Sequence, residues 1–420
     1  MPLRLFSPIL IFPFVLSCSA PDPEPSTPRM GPWHMALDLG STKLPFTFVL
    51  EQLPDSALRI HVQNGAEVIV VDDVEHFGDS IAVRMPLFDS EFKGRKDGDG
   101  RITGYWFNYL KGPDHKVPFT ALAGVFPRFP VATPARMDPT GIWEVHFSPN
   151  SADSYPAIGL FEQLNDGRVT GTFLTETGDY RFLEGSVSGD SLRLSCFDGS
   201  HAFLFAALWT GDSLKGSFRS GNHWEEPWVA VRNPQFKLRD PDSLTYLREG
   251  YDMVDFRFPS IDGGVISIND PPFKGSVRVV QIMGSWCPNC VDETRLLNEI
   301  YDKHHADGLQ VMSVAFERYQ DTVRAMEGLR RFRDVLEVRY PILYGGMAGK
   351  GEAAERLPFL NHVMSYPTLI IIDHKGSVRR IRTGIYGPSS GAHYERHKRS
   401  LEVFVMNLLQ ESQQAVQVAK

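Results

Sequence analysis

Gly284-Ser285-Trp286-Cys287-Pro288-Asn289-Cys290 follows the apolar run Val277-Arg278-Val279-Val280-Gln281-Ile282-Met283 and precedes a segment with Val291, Leu297, Ile300 and Tyr301 near helical spacing. The run reads as a buried strand, the later segment as an amphipathic helix, and the cysteine pair as the turn between them. Cys287 then sits at or just before a helix N-terminus, where unpaired N–H groups and the positive dipole end favour a thiolate. Cys290 falls one turn inside, shielded yet close enough to attack a mixed disulfide. Cys287 is therefore the expected nucleophile and Cys290 the expected resolving thiol, with Pro288 presetting the first helical turn. Other chemistries fit less well. A zinc knuckle needs about four ligands, and the chain has neither a second C-x-x-C nor a His pair at finger spacing. A structural disulfide across two residues would be strained. Trp286 reads as a flank of the site or as a core residue.

A second element lies downstream. Tyr366-Pro367-Thr368 opens the apolar run Leu369-Ile370-Ile371-Ile372, and a turn follows at His374-Lys375-Gly376. Proline at the start of a buried strand is unusual unless its peptide bond is special, as a cis bond is. W-C-x-x-C followed by Y-P-T before a strand resembles the thioredoxin superfamily. The details resemble its exported, membrane-anchored TlpA/ResA-like branch. Residues 256–258 and 265–268, ending in Phe273-Lys274-Gly275, resemble that branch's added hairpin, and residues 308–315 its next strand. The resemblance covers roughly residues 252–410. It implies an α/β thioredoxin fold whose working group is the dithiol itself, without a further cofactor or metal. It implies that Pro367 is a cis-proline facing the cysteines and that Tyr366 offers backbone hydrogen bonds to a bound substrate, with Trp286, Pro288 and Asn289 as neighbours. Glu317, just after its strand, reads either as the acid this branch often carries by the site or as a solvated loop acid. One departure stands out. Thioredoxin has a buried, proton-transferring Asp six residues before its first Cys, and this chain has Gln281, which cannot titrate. The loop 384–391, before an expected last helix over 393–409, edges the groove or merely connects.

The N-terminus reads as a targeting segment. Arg4 supplies a positive charge, and residues 5–16 are apolar but too short to span a bilayer and interrupted by Pro8 and Pro13. Val15-Leu16-Ser17-Cys18 resembles a bacterial lipobox, with Val15 where Leu is usual, which implies lipidation of Cys18; ordinary secretory cleavage is the other reading. Residues 19–30, rich in Pro, Ser and acid, read as an extended tether. Of four cysteines, one goes to the anchor, two form the close pair, and Cys196 is left over. An exported chain that uses its cysteines so sparingly is not stapling itself with them, so the close pair reads as catalytic.

Between tether and redox segment the chain reads as all-β. Short runs of strand formers alternate with Gly, Asp, Asn and Ser turns over 46–50, 58–62, 68–71, 81–85 and 102–107. A repeat is visible: Trp33 and Trp143 share a G-x-W context, Gly78-Asp79-Ser80 echoes Gly189-Asp190-Ser191, Phe88-Asp89-Ser90 echoes Phe197-Asp198-Gly199, and Ile102-Thr103-Gly104 echoes Leu214-Lys215-Gly216, all about 110 residues apart. The expected organisation is a signal peptide over 1–18, two related β-meander units over 31–126 and 140–235 and a linker over 236–255 with a short helix at 244–249. The thioredoxin-like domain follows over 256–410, then a tail over 411–420. The β units read as two barrels or sandwiches, or as halves of one larger barrel. Trp106, Trp143, Trp209, Trp224 and Trp228 fit a sheet core or a ligand pocket. Cys196 shares a strand face with Leu192 and Leu194 and reads as a buried apolar residue or a free thiol.

A net charge of −8 without a Lys/Arg block argues against nucleic acid as a partner. The expected protein is a membrane-anchored lipoprotein of the periplasm or cell envelope. It is expected to be a thiol–disulfide oxidoreductase, by family analogy a protein-disulfide reductase. Its expected partners are disulfide-bearing envelope proteins and a membrane thiol electron donor. Two alternatives stand. The β region could be a ligand- or glycan-binding module with an accessory redox domain. His362 and Met364, close to Pro367, could join the two thiolates in handling Cu(I).

Overall fold

The computed structural model describes residues 27–418. The expected signal peptide, Cys18 and most of the expected tether lie outside the described residues.

Two antiparallel β barrels precede an α/β domain. In the first, nine strands run between residues 31 and 123. Its first strand, Gly31–Asp38, buries Trp33, Met35 and Leu37 on one face, the period of two that a half-buried strand requires. This strand pairs with the last, Lys116–Ala123. The second unit repeats the plan over residues 141–232, with Trp143 opposite Arg232 where its first and last strands meet. Tyr155–Gln163 also pairs with Arg168–Thr175, which closes the ring. The repeat has a local counterpart: Trp33 Nε1 donates to the Arg29 carbonyl and Trp143 Nε1 to the Pro139 carbonyl, each at 2.8 Å.

The units are two barrels, but not independent ones. Phe197, Ala202 and Leu204 of the second pack into the core of the first. The Phe197 ring stacks on Phe46 with centroids 4.5 Å apart, and the Asn64 side chain both donates to and accepts from its backbone. Trp106, Trp143 and Trp228 are core residues, whereas Trp224 is exposed. Cys196 is fully buried with Leu192 and Leu194, and burial pushes its thiol well up.

The linker departs from expectation. Asp240 caps a single 3₁₀ turn, Pro241–Ser243, and no helix follows over 244–249. The Asn361 side chain accepts from the Tyr246 N–H at 2.9 Å and donates to the Leu244 carbonyl, and Leu247 bridges to Leu360. Partners from another segment thus satisfy the backbone groups that a helix would have paired internally.

The C-terminal domain carries a five-stranded sheet ordered Ile342–Met347, Leu309–Glu317, Val277–Met283, Thr368–Ile372, Val378–Thr383. The first three are parallel and the last two antiparallel to their neighbours. Every residue of the central strand is buried, Arg278 and Gln281 included, as a strand covered on both faces requires. Four helices accompany the sheet: α1 (Pro288–His304), α2 (Thr322–Leu336), α3 (Lys350–Arg356) and α4 (Ala392–Val418). α4 runs past the expected end at 409 and into the expected tail, as far as Val418. Leu408 and Leu409 are buried, and Glu411 pairs with Arg379 at 2.7 Å, so packing continues beyond that point. No helix among the described residues is long and apolar enough to cross a membrane.

Candidate active site

The central strand ends at Met283, and α1 begins at Pro288 after a short turn. Cys287 is the N-cap of α1: its backbone is extended, and its Sγ accepts a hydrogen bond from the Cys290 N–H at 3.3 Å. A sulfur in that place does what a capping oxygen does, meeting an N–H the helix leaves unpaired. Cys287 Sγ also lies 3.3 Å from the Tyr366 carbonyl oxygen, to which its thiol donates. The Tyr366–Pro367 peptide bond is cis. Both cysteines are free thiols; Cys287 keeps 6% of its surface and Cys290 none. Burial, then the neighbouring Cys287, pushes the Cys290 thiol well up, so it stays protonated until it is called on.

Trp286 closes one flank. Its Nε1 donates to the Phe316 carbonyl at 2.9 Å, its ring meets Tyr366 edge-on at 5.5 Å, and the Arg318 guanidinium lies 3.8 Å over it. Glu317 is buried at the end of its strand beside the cysteine loop, not solvated on a loop. It is 1% exposed, and its two carboxylate oxygens accept from Ser285 N–H and Ser285 Oγ, each at 2.7 Å. Burial pushes it up to about 7 against those two bonds. Gln281 is locked in place: it donates to the Cys290 carbonyl at 3.3 Å and accepts from Thr294 and Ser313. One turn beyond Cys290 on the same helix stands Glu293, fully buried and pushed up to about 8 by desolvation. The strand position that cannot titrate therefore has a titrating helix neighbour.

The second barrel closes over the cis-proline side. Ser365 Oγ donates to the Thr177 carbonyl at 3.2 Å, and Asn289 Nδ2 to the Asp179 carbonyl at 3.4 Å. The Gly387 N–H donates to the Asp179 carboxylate. Gly384 has φ +68°, and a Cβ there would come within 2.7 Å of the Thr177 carbonyl group. The loop 384–391 thus edges the groove, with the turn at 176–178 lying in it. Ser200 Oγ donates to the Trp286 carbonyl at 3.3 Å. Beneath this contact Arg181 is buried between three carboxylates: Glu67 at 2.6 Å from the first barrel, Asp198 at 3.8 Å from its own, and Asp292 from α1. Burial opposes its charge, and these carboxylates outweigh that cost.

Trp286, Cys287, Pro288, Asn289, Cys290, Glu317, Tyr366 and Pro367 are all brought to one place. His362 is exposed and Met364 half-buried. Among the described residues, no group of three or more His, Cys, Asp or Glu side chains is gathered as a metal ion would need. Glu293 escaped the sequence reading, although its three-residue spacing from Cys290 puts both on one helix face. Ser285, Arg318 and the turn at 176–178 carried no local signal.

Residues 250–381 match the AhpC/TSA family. The thioredoxin-like protein YneN of Bacillus subtilis (strain 168) is 30% identical over 138 residues, 33% of this chain and 73% of that protein. Sporulation thiol-disulfide oxidoreductase A of the same organism is 26% identical over 129 residues, 31% of this chain and 70% of that protein. A crystal structure of a secreted thiol-disulfide isomerase from Corynebacterium glutamicum aligns with a TM-score of 0.31 at 18% identity, covering 42% of this chain and 98% of that one. With a capped cysteine pair facing a cis-proline, and with the AhpC/TSA, YneN and sporulation-oxidoreductase matches, the chain belongs through residues 250–381 to the AhpC/TSA family as a TlpA/ResA-like thioredoxin-fold thiol–disulfide oxidoreductase.

Proposed function

We propose that the protein reduces disulfides of other cell-envelope proteins, with Cys287 as nucleophile and Cys290 as resolving thiol. The observation that carries this reading is the placement of Cys287 Sγ, 3.3 Å from both the Cys290 N–H nitrogen and the Tyr366 carbonyl oxygen. Cys287, as thiolate, attacks one sulfur of the partner's disulfide, and the partner's other sulfur leaves and takes up a proton. Cys290 then loses its proton and attacks Cys287 Sγ, which breaks the mixed disulfide and frees the second partner thiol. The partner gains two electrons and two protons, and Cys287 and Cys290 end as a disulfide. An external dithiol at the membrane resets the pair. In this reading Tyr366 and Pro367 border the bound segment, Trp286 and Asn289 flank it, and Glu293 and Glu317 hold the protons that Gln281 cannot.

Lipidation at Cys18 and an envelope location complete the proposal; the lipobox-like Val15-Leu16-Ser17-Cys18 supports them. Contacts from Ser200 and Thr177–Asp179 favour β units that select the partner over a β module that acts apart from the redox domain. The test is direct. Cys287→Ser should abolish reduction of a protein disulfide, and Cys290→Ala should trap partners as mixed disulfides on Cys287. Unchanged turnover in Cys287→Ser would refute the proposal.

A further inference from the structure

We propose that the disulfide partner is an acidic protein segment that reaches Cys287 past Trp286, where Arg318 and Lys111 stand beside a recess that carries Arg324 and Arg331. This rests on the disulfide-exchange reading above and names the substrate class for that site.

Two sides of the cysteine loop differ. On the cis-proline side, Thr177–Asp179 already occupy the space beside Ser365, Gly384 and Asn289. On the Trp286 side a recess of about 300 Å³ opens between the first barrel and α2, with Phe88, Leu110, Ser285 and Trp286 in its wall. Arg324 and Arg331 line it with Asp89 and Glu327, and the cations without a carboxylate partner, Arg318 and Lys111, adjoin its Trp286 and Leu110 walls. Arg318 is exposed and stacked on Trp286, and among the described residues no carboxylate lies within ion-pair distance of it. Among the described residues, Lys111 Nζ meets imidazole nitrogens only, those of His223 at 2.7 and 3.1 Å, and His115 stands edge-on to the same ring. Desolvation and Arg318 hold Lys111 down to about 8, as an uncompensated positive field would. Asp198, the carboxylate that opposes this, is already engaged by His201 at 3.1 Å. Arg331 donates to the Leu87 carbonyl, and Arg324 is the one paired cation, to Asp89 at 2.8 Å. Glu327 is the further acid in the wall.

Such a concentration of positive charge is a local reversal in a chain of net charge −8. A cleft of one sign raises encounter with the opposite sign and orients it. Carboxylates flanking a partner's cysteine would place its sulfur over Trp286, on the side of Cys287 away from Thr177–Asp179.

The test uses the full chain and three disulfide-linked peptides that differ only in having Glu, Gln or Lys beside the cysteines. The expected order of kcat/KM is Glu, Gln, Lys, with about tenfold or more between the extremes at low salt, shrinking in about 1 M salt. Lys111→Gln combined with Arg331→Gln should lower the Glu-to-Lys ratio, a quantity that is normalised within one protein and so insensitive to the folded fraction. Equal rates for the three peptides, or a ratio unmoved by both salt and substitution, would overturn the inference while leaving the exchange reading intact. No exchange with any peptide would overturn both.

Discussion

The carbonyl oxygen of Thr177 accepts a hydrogen bond from Ser365 Oγ at 3.2 Å, so a turn of the second barrel rests two residues from the cis-proline. A thioredoxin-fold groove is where a substrate strand would lie, and here part of it is filled by the chain itself. Cys287, expected to be reachable, keeps only 6% of its surface.

Access to Cys287 should therefore depend on the turn. In Gly384→Ala the new methyl would stand 2.7 Å from the Thr177 carbonyl group, so the turn must shift. Alkylation of Cys287 by iodoacetamide, followed by mass spectrometry, should speed up several-fold, with buried Cys196 as the internal reference. The left-handed backbone at this position adds a cost of about 1 kcal/mol in stability. An unchanged alkylation rate would mean that the turn does not gate the thiol.

Glu317 should matter through its proton. With its carboxyl pushed up to about 7, it is neutral below that pH and ionised above it. The pH–rate profile for disulfide exchange should show an inflection near 7 that Glu317→Gln removes. Glu317→Ala should also cost about 1–3 kcal/mol, because the buried Ser285 N–H loses its acceptor.

Glu293 predicts the pH dependence of stability. Its folded carboxyl, raised to about 8, binds a proton that the unfolded chain releases near 4.5. The folded state thus holds more protons across that window, and the stability this confers is full below about 4.5 and lost as pH rises through about 8. Glu293→Gln keeps the shape and removes the titration. Its Tm should exceed that of the wild type near pH 8.5, with the gap closing by about pH 5. A gap independent of pH would refute this.

Arg181 joins the three units at one point, so its loss should be felt by all of them. Arg181→Ala would take the shared cation from Glu67, Asp198 and Asp292, leaving Asp198 with His201 and Asp292 with the more distant Arg295. A destabilisation of about 3–5 kcal/mol is expected in chemical denaturation. Splitting of a single transition into two would show that this residue also couples the barrels to the redox domain.

Much of this was legible along the chain. The strand-turn-helix around Cys287, Pro367 at the head of a buried strand, and the doubled β unit are all local periodicities or short motifs, and local hydrogen bonding enforces them wherever they occur. Glu293 was readable in principle from helical spacing. The linker helix misled because Asn361 supplies bonds from more than a hundred residues away.

What the sequence by itself determined is the chemistry: two thiols one helical turn apart, placed at an α-helix N-terminus beside a proline-led strand. What only the tertiary structure decided is who may reach them. Thr177 and Ser365 are 188 residues apart, and Ser200 and Trp286 are 86 apart. Such contacts leave no period in the chain, because they follow from how packed surfaces meet and not from how neighbouring residues pair.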